Sequence, residues 1–367
     1  MFETIASGLV YRNPQPHLKS IHAWHPSLVQ LDSGELIASF DLGEAVEALD
    51  YRTYLARSQD EGATWSEPAR WFRDEFDART SHSVRLGRAA DGTLIGVGGR
   101  LYRDNPELGV VNRDNFGYTR MDLVQLTSGD GGRSWNGPQT ITPPLVGPAF
   151  ETCHCVVELA DGRWLYPTST WKGWNGEAPN GMKSVALVSH DRGRSWSEYL
   201  DIIDDYAAGN INWEVSLVQL PDGRLLAVTW VVNEKSGQTL PTQFTISRDG
   251  RSFAPPRPNG LRGQTAKVLA LRDGRVLCLY RRHDRPGLWA DLARIEGDDW
   301  RSLSSQPLWQ GAASGMRGEG NSIDELSSLK FGYPSMVELP SGDVLAVFWC
   351  VEDEVYGILW IRIRVHG

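Results

Sequence analysis

Six times along the chain, an alternating run of apolar and polar residues leads into an Asp-Gly or Ser-Gly pair and out into a second apolar run. The stretches are HPSLVQLDSGELIASF from His25, SVRLGRAADGTLIGVG from Ser83, CHCVVELADGRWLYPT from Cys153, EVSLVQLPDGRLLAVT from Glu214, TAKVLALRDGRVLCLY from Thr265 and YPSMVELPSGDVLAVF from Tyr333. Two-residue turn chemistry between β-branched runs predicts a β-hairpin in each, with Gly34, Gly92, Gly162, Gly223, Gly274 and Gly342 in the turns. Successive copies begin 51 to 70 residues apart, which is room for four strands per unit.

A second signature follows three of the hairpins: SQDEGATW from Ser58, SGDGGRSW from Ser128 and SHDRGRSW from Ser189. Ser and Asp side chains can bond the free N–H groups of a tight turn, Gly supplies a positive φ, and Trp can bury its ring against a neighbouring sheet. The fourth unit has a shortened form, SRDGRSF from Ser247, and the fifth a remnant, EGDDW, ending at Trp300.

These octapeptides resemble the Asp-boxes of the sialidase (neuraminidase) superfamily, and the resemblance covers essentially the whole chain. It implies an all-β fold, a six-bladed β-propeller of four-stranded antiparallel blades, as a single domain over residues 1–367. Few residues remain after Tyr333, so an N-terminal strand around Ile5 to Tyr11 is expected to complete the last blade and close the ring. The Asp-boxes themselves are expected to be structural.

Composition narrows the partners. With 41% hydrophobic and 23% charged residues the chain can bury a large core, and 15 Trp with 38 Gly suit short strands, tight turns and aromatic filling between sheets. A net charge of −9 argues against nucleic-acid or anionic-membrane partners, and no apolar run approaches a membrane span. The start MFETIASGLVYRNP lacks the marks of a signal peptide, and the four cysteines form no CxxC pair. A reduced, cytoplasmic protein is the expectation, a removed leader being the alternative.

Strand alternation puts the Asp-Gly turns and Asp-boxes on one face. The opposite face receives the long connections Asp41 to Tyr51, Arg100 to Arg120, Trp171 to Lys183 and Gly311 to Phe331, so function is expected there. The residues that open the inner strands, His25, Ser83, Cys153, Glu214, Thr265 and Tyr333, are expected to point at the axis. The resemblance implies that Tyr333 is a nucleophile assisted by Glu214, and it places the acid in the first blade's loop. There Asp50 is preferred, with Asp41, Glu44 and Glu47 as competitors. An adjacent carboxylate can take a phenol's proton. The three carboxylate-binding arginines that the resemblance implies are incomplete: His25-Pro26 and Trp230 occupy two of the places. The third falls on Arg285, with Arg281 or Arg282 as substitutes.

The resulting expectation is an exo-acting glycoside hydrolase on a carbohydrate substrate, an acidic or otherwise sialic-acid-unlike sugar such as a deoxy sugar, with no cofactor and no metal. One variant uses Glu151 and Glu214 as a two-carboxylate pair, similar to the exo-arabinanases of this fold. An alternative is a uronate lyase with His25 or His82 as base and Tyr333 as acid. A third is a non-catalytic glycan-binding propeller. His82 and His154 are candidate substrate ligands near the axis. Trp24, Trp171 and Trp213, with Trp230, are candidates for stacking on a sugar ring.

Overall fold

The computed structural model describes residues 1–312 and 328–367, which form six antiparallel sheets, here blades I to VI. Blade I comprises His22–Gln30, Leu36–Gly43, Arg52–Ser58 and Ala69–Arg70; blade II comprises Thr80–Arg88, Leu94–Tyr102, Met121–Ser128 and Asn136–Ile141. In blade III the innermost strand is split into Ala149–Glu151 and Val157–Glu158, both paired with Trp164–Trp171, followed by Ser184–Ser189 and Glu198–Ile203. Blade IV runs through Asn210–Gln219, Leu225–Asn233, Thr239–Ser247 and Arg257–Pro258, and blade V through Gly263–Ala270, Val276–Arg282, Leu288–Glu296 and Asp299–Trp309. Blade VI joins Phe331–Glu338, Val344–Glu352 and Val355–Val365 to the N-terminal strand Phe2–Arg12. That closure was expected from the sequence; the strand is longer at both ends than the apolar pattern suggested. No helix among the described residues is long and apolar enough to cross a membrane.

The core lies between blades rather than at one centre. Six apolar clusters fill the six interfaces, from Leu28, Phe40 and Trp349 between blades VI and I to Leu277, Leu292 and Phe348 between V and VI. The Asp-box tryptophans Trp65, Trp135 and Trp196 each enter one of these clusters. The boxes are turns held by their own side chains. Asp130 accepts bonds from the Ser134 N–H at 2.9 Å and hydroxyl at 2.6 Å, while Gly132 donates to Ser128 Oγ at 2.9 Å. Asp60, Asp191 and Asp249 repeat the arrangement.

The ring is sealed at its centre by side chains bonding the exposed inner edge of the next blade. Ser27 Oγ accepts from Leu86 N at 2.8 Å, Ser216 Oγ from Val268 N at 3.0 Å and Ser335 Oγ from Leu28 N at 3.1 Å. In blade III His154 Nε2 takes this place, accepting from Leu217 N at 3.4 Å.

Four of the strand-opening residues have left-handed backbones: His25, Glu214, Thr265 and Tyr333, at φ of 52°, 46°, 51° and 54°. The ladder shifts register at each of them. Such bulges are costly for non-glycine residues and tend to persist where a side chain must be aimed. Blade II keeps regular pairing and relies on a glycine instead: a Cβ on Gly98 would stand 2.0 Å from the Ser83 carbonyl oxygen. Gly98→Ala is therefore expected to destabilise the protein by about 2–4 kcal/mol, because backbone rather than a flexible side chain must move. A denaturation midpoint equal to that of the parent would contradict this.

Candidate active site

Blade I supplies a buried polar group. Asp41 lies on the second strand with no solvent exposure, and accepts hydrogen bonds from Thr53 Oγ1 at 2.6 Å, Ser83 Oγ at 2.6 Å and Arg85 Nη1 at 3.1 Å. His25 Nδ1 lies 3.3 Å from Asp41 Oδ2 and 2.9 Å from the Tyr51 hydroxyl. Burial alone would raise the pKa of Asp41, but Arg85, then His25 and Ser83, outweigh it and hold the carboxyl below its ordinary range. For His25 burial dominates, with Arg85 and Lys267 adding to it against Asp41, so its pKa is lowered and a neutral imidazole is favoured.

The His25 ring meets the Tyr333 ring edge-on at 4.8 Å. Two cations flank that phenol: the Arg85 guanidinium 5.1 Å and the Lys267 ammonium 4.7 Å from the ring centre. Arg85 also donates to the His25 carbonyl at 3.1 Å, and Lys267 reaches from blade V to the Cys153 carbonyl on blade III at 2.9 Å. The expected Tyr333–Glu214 pair is not hydrogen-bonded. The Tyr333 hydroxyl is buried and has no hydrogen-bond partner among the described residues. Burial, Cys153 and the two glutamates push its pKa well above the ordinary phenol value despite Arg85.

Glu214 instead accepts the Trp230 indole N–H at 2.9 Å. Its pKa is raised by burial, against the opposing pull of Lys267, Arg281, the Trp230 bond and Arg85. Glu151, at the end of the first segment of the split inner strand, is 9% exposed, and one of its carboxyl oxygens has no hydrogen-bond partner among the described residues. Burial first, then the charge of Glu214, lift its pKa well above the ordinary carboxyl range, with Cys153, Lys267 and Arg85 opposing. Two interacting carboxyls with unlike partners divide naturally into a proton donor and an anion. Tyr118, from the blade II loop, stands in the field of both glutamates, and burial with their charge raises its pKa.

Other expected site residues lie elsewhere. Asp50 is exposed and turns its carboxylate into its own loop, accepting from Glu44 N at 3.0 and 3.2 Å. His82 is buried between blades I and II, with Thr80 Oγ1 at 3.2 Å and the carboxylates of Asp74 and Asp77 at 3.5 and 3.8 Å. His154 serves as the inter-blade acceptor described above, and burial lowers its pKa to about 4. Arg285 is exposed, 6.0 Å from the Trp289 ring centre. Of the arginines named from the sequence, Arg281 is the one whose charge acts on Glu214; it is buried and held by Gln264 at 3.0 Å and the Phe331 carbonyl at 2.9 Å. The tryptophans do not form an open stacking platform. Trp213 packs against both Trp171 and Trp230, with ring centres 4.5 Å apart in each pair, and Trp24 stacks on Trp349 at 4.0 Å. The Gly311 to Phe331 connection lies largely outside the described residues.

Sequence reasoning passed over Arg85, Lys267 and the buried role of Asp41. A signal for the two cations existed. Aligning the six hairpins puts Ser27, Arg85, Cys155, Ser216, Lys267 and Ser335 at one position, two residues after each strand opener. A cation there faces the axis with little water.

Comparison with solved structures supports a glycoside-hydrolase-like fold. A protein of unknown function from Dyadobacter fermentans DSM 18053 aligns over 100% of this chain and 99% of its own, with TM-score 0.77 and 20% identity. The Penicillium chrysogenum alpha-L-arabinanase complexed with arabinobiose aligns over 98% of each chain, with TM-score 0.70 and 14% identity. The NanB sialidase of Streptococcus pneumoniae, as its K499G mutant, aligns over 97% of this chain and 70% of its own, with TM-score 0.65 and 14% identity. The family model for the BNR repeat-like domain matches residues 107–345, more than half of the chain. With its six blades and Asp-box turns, this chain belongs to the BNR repeat-like domain family and has the sialidase-like propeller fold.

Proposed function

We propose that the protein is an exo-acting glycoside hydrolase for an acidic sugar, with Glu151 as general acid and Glu214 as the carboxylate base or nucleophile. The observation that carries this reading is the pair of interacting axial carboxyls whose surroundings separate their roles. Lys267 and Arg85 favour the ionised form of both, but Glu214 is partly exposed and has the Trp230 indole N–H and Arg281 besides, whereas Glu151 is more deeply buried and keeps its proton longer. Glycoside hydrolysis requires such a division between the leaving oxygen and the opposite side of the sugar. The acidic substrate follows from a buried cation. Arg85 is neutralised by Asp41, but among the described residues Arg281 has no carboxylate within ion-pair distance. An anionic sugar would supply one.

A second reading has its own observation. A neutral His25 against Tyr333, beside Arg85, could remove a proton next to a uronate carboxylate while the phenol protonates the leaving oxygen. One experiment separates the two. Incubated with a panel of uronide-containing oligosaccharides, the hydrolase releases reducing sugar without new ultraviolet absorbance, and Tyr333→Phe keeps most of that activity. Products with the absorbance of an unsaturated uronate, lost in Tyr333→Phe, would establish elimination and reject the hydrolase. Binding with no turnover across the panel would reject both.

A further inference from the structure

The axis is open from the turn face as well. A cavity of about 750 Å³ runs inward between the six innermost strands, from a rim at Gln30, Arg88, Glu158, Gln219, Ala270 and Glu338 to an inner end formed by Arg85, Cys153, Lys267 and Tyr333. Tyr333, with its flanking cations, closes this end beneath His25. The charges at the rim are engaged: Arg88 with Asp32, Glu338 with Arg272, and Glu158 with the Ala90 N–H and the Trp164 indole. The inner end is different. Lys267 is 7% exposed, and among the described residues its ammonium makes one hydrogen bond, to a backbone carbonyl, while the buried Arg85 Nε has no hydrogen-bond partner.

The Lys267 ammonium stands in the field of Glu214 and Glu151, but its hydrogen-bond acceptor is a backbone carbonyl, and an anion reaching it through the channel would fill its spare donors. We propose that the turn-face channel is a binding site for a small oxyanion, a carboxylate or phosphate, seated against Lys267 with Arg85 behind it. A neutral apolar molecule would leave the donors unsatisfied, and a cation would be repelled. His25, Glu151 and Glu214 do not line this channel, so a ligand seated in it is distinct from a sugar held in the loop-rich mouth.

Titration calorimetry and thermal denaturation with inorganic phosphate test the assignment in the full-length protein, Lys267→Met and Ala270→Glu. The parent should bind phosphate saturably and melt at higher temperature as phosphate is added. Lys267→Met should lower affinity at least about tenfold by removing the charge-assisted bonds. Ala270→Glu adds a like charge at the rim without touching Lys267, and should weaken binding about three- to tenfold, less so at high salt. If Lys267→Met does not fold, Ala270→Glu decides the matter. No saturable binding by the parent, or affinity unchanged by Ala270→Glu, would overturn the proposal. Displacement of phosphate by the oligosaccharide substrate would do the same, by placing the anion in the loop-rich mouth.

Discussion

Glu214→Gln should lower kcat by about 10²–10⁴-fold while leaving the melting temperature close to that of the parent, and Glu151→Gln should do likewise. The amide keeps the shape of each side chain and the Trp230 contact at Glu214, but it can neither form an anion nor supply a proton. Because the two carboxyls act in one step, the double variant should be little worse than either single one. The pH profile gives an independent check. Glu151 must be protonated to act as the acid, so kcat/KM should fall as pH rises through its raised pKa, giving a basic limb well above the ordinary carboxyl range. Lys267 favours the ionised form, so Lys267→Met should move that limb to higher pH. Either glutamine variant retaining near-parent kcat would remove the carboxylate pair from the mechanism.

The second large effect is on stability. Asp41→Ala should destabilise the protein by about 3–5 kcal/mol, because it strands a fully buried guanidinium whose ion-pair partner is gone. The hydroxyls of Thr53 and Ser83 lose their acceptor at the same time. Removing both charges, in Asp41→Asn with Arg85→Met, should cost less than the sum of the two changes, as a double-mutant cycle in denaturant would show. The pH dependence has a definite sign. The folded-state pKa of Asp41 is depressed, so its stabilising contribution is present above the ordinary carboxyl pKa and is lost as pH falls through the folded value. If Asp41→Ala unfolds at the parent's denaturant concentration, the buried pair is not a structural element.

The parts that could be read from the chain were local. A turn glycine after an alternating run specifies a hairpin wherever it occurs, and the Ser, Asp and Gly of an Asp-box bond within a few residues of one another. Their sixfold recurrence then fixed the blade count, and closure by the N-terminal strand followed from the strands still missing in blade VI. The axial positions of His25, Glu214 and Tyr333 were also legible, because the hairpins align and the strand openers align with them.

Their partners were not legible. Glu214 faces Trp230 rather than Tyr333 because the bulge at φ 46° aims its carboxylate at its own blade's second strand. Asp41, near the end of blade I's second strand, and Asp50, in the loop that follows, are close in sequence, yet one is buried against a blade II arginine and the other bonds within an exposed loop. The tryptophans looked available because sequence shows hydrophobic rings on a loop-rich face, but not that three of them fill one another's surroundings. Short-range periodicity and turn chemistry determined the hairpins, the Asp-boxes and the six-bladed ring. Only the tertiary structure decided which charges meet at the axis, because those contacts join residues from different blades, and burial there sets which carboxyl keeps its proton.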